Sequence, residues 1–107
     1  MRRGNLVTVT LPGAYGKPRP ALVVQSDLFD EHPSITILPV TSELRATPLF
    51  RVDVAPSAAN GLRRPSQVMV DKVQTVPRDK LGGSFGRLED DKLLAVTRAL
   101  ALFLGIA

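Results

Sequence analysis

The segment Lys17-Pro18-Arg19-Pro20-Ala21-Leu22-Val23-Val24-Gln25 sets an arginine between two prolines, where a glycine-rich loop becomes an apolar run. Proline fixes its own φ and drives the preceding residue toward extended geometry. Arg19 therefore has little backbone freedom, and the apolar run behind it is a natural anchor to a core. A guanidinium presented so rigidly suits a phosphate or a carboxylate, because its planar fork donates two parallel hydrogen bonds. It would equally pair with a local acid or stand in solvent. Two hydroxyls, Thr41 and Ser42, follow a second apolar run. They read either as donors at a strand end or as a turn cap with Glu43 or Leu44 following. Asp71 ends a third run, with Gln67 on the same face two pleats earlier. Before Lys72 it also reads as a turn-forming aspartate. Tyr15, the only tyrosine, could stack on a base from a loop tip or pack back on its own loop.

Other chemistries lack their residues. His32 is the only histidine and there is no cysteine, so zinc and thiol chemistry are close to excluded. Asp27, Asp30 and Glu31 could serve magnesium, but acids beside a candidate helix start are more often caps or solvated surface. A serine triad would need a histidine base and a nucleophile elbow, and Gly-x-Ser-x-Gly does not occur. Leu81-Gly82-Gly83-Ser84-Phe85-Gly86 is glycine-rich, yet it lacks the lysine and hydroxyl of a phosphate loop. What remains is chemistry run with arginine, hydroxyl and carboxylate groups, with no metal and no cofactor expected.

The chain has 107 residues, 44% of them apolar, which fits one domain over 1–107 with a modest core. Its longest apolar stretches are too short to span a bilayer, and no secretory leader is expected at Met1-Arg2-Arg3. The lack of cysteine fits a cytoplasmic protein. Net charge is +4. Arg2, Arg3, Lys17 and Arg19 lie in the first twenty residues without an acid, and Arg63, Arg64, Lys72, Arg78 and Lys80 crowd 61–80. If these segments converge they form a phosphate-binding surface; the alternative is mild basicity for solubility.

The elements that would position these groups are short. Alternation predicts strands over Leu6–Leu11, Ser34–Val40, Phe50–Val54 and Ser66–Asp71. Pro20–Gln25 is unbroken apolar, so both its faces should be covered. Val73–Val76 continues the Ser66 strand after a bend or forms its own. Leu81–Gly86 reads as an edge strand with bulges. Pro56–Pro65 is a polar connection with Asn60-Gly61 as a turn. From Arg87 the period becomes helical, with Leu93, Val96, Thr97, Leu100, Ala101 and Leu104 on one face and Gly105 as the stop. This is an α+β chain: a small barrel of five to seven strands closed by a carboxy-terminal helix. If strands two and three are antiparallel neighbours, Arg19 and Thr41/Ser42 share one rim.

These residues, in this order, resemble the MazF/PemK family of toxins from toxin–antitoxin modules. The matching stretches are Arg3-Gly4-Asn5-Leu6-Val7, Arg19-Pro20-Ala21-Leu22-Val23-Val24-Gln25 with Asp27, and Leu38-Pro39-Val40-Thr41-Ser42. Ser66-Gln67-Val68-Met69-Val70-Asp71-Lys72-Val73-Gln74-Thr75-Val76 and Gly86-Arg87-Leu88 complete the match. The resemblance implies an SH3-like barrel, a homodimer, metal-independent cleavage of single-stranded RNA, and a cognate antitoxin that covers the RNA groove. By motif, Arg19 and Thr41 would carry the chemistry with Ser42 beside them, and Asp71 would be a base only if close to Arg19. Tyr15, Lys17, Arg63, Arg64 and Gln67 would bind RNA. Three departures stand out: the first loop lacks an acid and a glutamine before Arg19, Met69 stands where some members have arginine, and Lys72 where many have glutamine. A gyrase poison of the same fold, like CcdB, is the alternative suggested by the apolar tail Leu104-Gly105-Ile106-Ala107; a barrel that binds RNA without cutting it is another.

Overall fold

The computed structural model describes residues 1–11 and 16–106. Seven strands precede one helix: β1 (Asn5–Thr10), β2 (Pro18–Val23), β3 (Ser34–Thr41), β4 (Arg51–Val54), β5 (Ser66–Met69), β6 (Gln74–Pro77), β7 (Leu81–Arg87) and α1 (Asp90–Leu104). The strands run β4-β5-β3-β2-β1-β7, and β6 joins β3 off this path. Every pairing is antiparallel. The result is the α+β, barrel-like arrangement that the short alternating strands call for.

β3 organises the sheet. Its first half, Ser34–Ile37, pairs with β6, and its last two residues, Val40 and Thr41, pair with β5. One eight-residue strand thus serves two partners on one edge while β2 runs along the other. Side-chain alternation then splits the apolar residues between two cores. Leu6, Leu22 and Leu38 stand in register across β1, β2 and β3 and face α1, together with Val68, Val70, Leu88 and Val96. Val7, Val9, Ala21, Val23, Ile35 and Ile37 face the opposite way and close with Val76. This two-sided burial accounts for the unbroken apolar run of β2.

The Ser66 strand is shorter than alternation predicts. It ends at Met69, and Val70–Lys72 forms a single 3-10 turn. Val70 is fully buried beside Val68 and Val96, so the chain must bend to bring it into the core under the helix. In α1, Val96 is buried and Leu93, Ala99 and Leu100 pack beside it. Thr97 and Leu104 are exposed, so the apolar face leaves the core before the helix ends. Gly105 stops it at φ 76°, where the left-handed region favours glycine. The Ile106 N–H reaches back to the Ala101 carbonyl at 2.9 Å.

Candidate functional site

The β2–β3 register decides where the arginine and the hydroxyls lie. Ala21 pairs with Pro39, Leu22 with Leu38 and Val23 with Ile37. That pairing ends at Ala21 and Pro39, two residues short of Arg19 on one strand and of Thr41 on the other. Both line one open groove of about 480 Å³, with Ser42, Glu43, Arg63, Arg64, Ser66 and Met69 among its other walls. Of the two basic segments, Arg19, Arg63 and Arg64 meet at the hydroxyl-bearing end of β3, while Arg2, Arg3, Lys72, Arg78 and Lys80 lie elsewhere.

Arg19 is exposed, and among the described residues neither it nor Arg63 nor Arg64 has a carboxylate partner. Three unpaired guanidiniums on one concave surface make a field suited to phosphate. Glu43 is the groove's acid, and it is paired with Arg45 at 3.0 Å on the exposed side. Thr41 is half-buried. Its Oγ1 accepts the Glu43 backbone N–H at 3.0 Å, which leaves the hydroxyl proton free to donate. Ser42 beside it is exposed.

Arg63 and Arg64 follow a loop whose anchor is Asn60, a fully buried side chain. Asn60 Oδ1 accepts from the Ser57 and Leu62 amides, each at 3.0 Å. Its Nδ2 donates to the Ala55 carbonyl at 2.9 Å and to Glu89 Oε1 at 3.1 Å. Ser57 Oγ donates to the second Glu89 oxygen at 2.5 Å. The Ser57 hydrogen bond above all, and then the backbone N–H of Glu89, hold that carboxyl below the ordinary glutamate range; Asn60 and Lys92 add to the effect against a modest cost of burial. Gly61 completes the turn at φ 70°. Asn60-Gly61 is thus a turn, as its residue types predict, and also a latch onto the start of α1.

Three candidates lie outside the groove. Gln67 is 6% exposed and its amide is engaged with Arg45, Arg51 and Asp53. Asp71 lies on the 3-10 turn beyond Met69, with Lys72 Nζ 3.7 Å away. Lys17 is exposed just ahead of β2 and is not one of the groove's walls. Tyr15 falls outside the described residues. Sequence reasoning missed the apolar floor, Leu11, Pro39 and Leu62, because nothing local distinguishes a groove floor from a core. Among the described residues no three His, Asp or Glu side chains gather to hold a metal ion, and no helix is long and apolar enough to cross a membrane.

Comparison with known proteins matches residues 2–104 to the family of PemK-like, MazF-like toxins of type II toxin–antitoxin systems. A probable endoribonuclease MazF of Mycolicibacterium smegmatis is 46% identical over 108 residues, covering 100% of this chain and 99% of its own. The structure of the Mycobacterium tuberculosis toxin MazF-mt6 superposes with a TM-score of 0.81 at 28% identity, covering 96% of this chain and 98% of that one. A MazE–MazF structure from Deinococcus radiodurans gives 0.81 at 26% identity, over 100% and 98% of the two chains. The chain belongs to the PemK-like, MazF-like toxins of type II toxin–antitoxin systems.

Proposed function

We propose that the groove between β2, β3 and the Arg63–Arg64 segment is where this toxin, an endoribonuclease, binds and cuts single-stranded messenger RNA. The observation that carries this reading is the β2–β3 register, which brings Arg19 and Thr41 to one wall of a cationic groove. RNA contains its own nucleophile. The 2′-hydroxyl attacks the adjacent phosphorus and gives its proton to water, the P–O5′ bond breaks as the 5′-oxygen takes a proton from water, and the products are a 2′,3′-cyclic phosphate and a 5′-hydroxyl. The protein's task is to hold the phosphate in line and neutralise the charge that builds on the phosphorane. Arg19 does the second through its two parallel N–H donors. A guanidinium serves by charge and hydrogen bonds, so its part is electrostatic rather than that of a proton donor. Thr41 donates its free hydroxyl to a phosphate oxygen, and Ser42 is a reserve donor. Arg63 and Arg64 hold the flanking phosphates. Asp71 is given no part, since it stands away from the groove walls.

Cutting messenger RNA arrests translation and growth, and that work is done in the cytoplasm. The cognate antitoxin must cover the same groove, so the segment that lies there should be acidic. The working unit is a homodimer. The CcdB-like alternative calls for the exposed end of the helix rather than a basic groove, and similarity to a probable endoribonuclease along the whole chain favours cleavage over RNA binding alone. The test is incubation of the purified protein with a single-stranded transcript in excess EDTA. Cleavage that leaves 5′-hydroxyl and cyclic-phosphate ends is expected. A gel shift without cleavage, or loss of cleavage on chelation, would overturn it.

A further inference from the structure

We infer that Gln67 and Arg51 are positioning residues that fix the Thr41 hydroxyl, an inference that rests on the role given to Thr41 above. Thr41, Gln67 and Asp53 stand in one row across β3, β5 and β4, because Thr41 pairs with Gln67 and Asp53 pairs with Gln67. The chain leaving Thr41 turns back over that row. Gln67 meets it with both ends of its amide: Oε1 accepts the Arg45 N–H at 3.0 Å, and Nε2 donates to the Arg45 carbonyl at 2.9 Å. The side-chain amide thus replaces the peptide group of a neighbouring strand. Its second N–H goes to Asp53 Oδ1 at 2.8 Å, which sets the amide's orientation. Arg51 Nη1 bridges Gln67 Oε1 at 2.9 Å and the Glu43 carbonyl at 2.8 Å.

Glu43 is the link to the chemistry. Its carbonyl is held by Arg51, and its N–H is the group that donates to Thr41 Oγ1 at 3.0 Å. Arg45, two residues on, is held by Gln67. The hydrogen bond that orients the hydroxyl therefore comes from a segment pinned at both of its ends from β4 and β5. An exposed loop without such clamps would sample several positions, and the Thr41 rotamer with it. A reacting group displaced by about 1 Å loses much of its rate while binding is little changed. Among the described residues the Arg19, Arg63 and Arg64 side chains form no hydrogen bond with this network, so substrate affinity should change little.

The experiment is a double-mutant cycle read in kcat and KM on a single-stranded RNA oligonucleotide. Gln67→Met keeps the side-chain volume and removes every hydrogen bond; it should lower kcat by about tenfold or more with KM changed less than about twofold. Added to Thr41→Val, the same substitution should cost nothing further, because the group it acts through is already gone. Amide hydrogen exchange at Glu43 and Arg45 should quicken in Gln67→Met. Should that variant not fold, Arg51→Met releases the same Glu43 carbonyl and carries the same cycle. Wild-type kcat in these variants, or a loss that persists undiminished on top of Thr41→Val, overturns the inference. Full activity of Thr41→Val alone overturns the role of Thr41 first, and the inference with it.

Discussion

Arg19 and Thr41 are separated by twenty-odd residues of chain and meet in one groove because β2 and β3 pair just behind them. That makes the pair separable by substitution, since neither side chain supports a core. Arg19→Ala should lower the cleavage rate by about 100–1000-fold, the usual cost of losing one charge stabiliser, without moving the melting temperature. Arg19→Lys should recover only part of it, because an ammonium supplies the charge without the fork. Single-turnover rates and thermal melts check both. Arg63→Ala and Arg64→Ala should act differently: weaker RNA binding, a shallower dependence of affinity on salt, and little change in the rate of the bound complex. Titrations at several salt concentrations measure this. Arg19 was legible from sequence because its constraints are its immediate neighbours, Pro18 and Pro20. Gln67 was not. Alternation says which face of β5 it occupies, but only the folded chain shows that Arg45 lies over that face and takes its amide.

The elements divide in the same way between local and distant causes. Strand identities, the Asn60-Gly61 turn and the Gly105 stop follow from residues close in sequence. The burial of Asn60 does not, since one of its partners, Glu89, lies at the far end of β7 and beyond. The same holds for the end of β5, where Val70 turns inward to reach the helix. The latch between Ser57, Asn60 and Glu89 has a pH signature. Its carboxyl sits below the ordinary glutamate range in the folded protein. It therefore stabilises the fold fully above the unfolded value, and that contribution fades as pH falls through the lowered folded value. Glu89→Gln should flatten the acid limb of the stability curve and lower stability at neutral pH. Urea midpoints between neutral and acid pH, compared for the two proteins, measure the difference.

At the scale of the molecule, β1, β2 and β3 divide two cores between their opposite faces. The Leu6–Leu22–Leu38 row lies in the core under α1, and all three residues are fully buried. Leu22→Ala should cost about 2–5 kcal/mol, enough to lower the urea midpoint sharply while leaving the groove's residues in place. One further feature of β2 bears on what can lie against the groove. Pro18 and Pro20 pair with Thr10 and Thr8 of β1, and neither has an N–H to offer. Beyond the last pairing of β2 with β3, at Ala21 with Pro39, these two positions have no donor to give a further strand. An extended peptide arriving there finds no continuous row of amides on which to add itself as another strand. The open mouth of the groove is guarded against accidental zippering with unfolded chains, and a protein inhibitor seated on it must be recognised by its side chains rather than by its backbone.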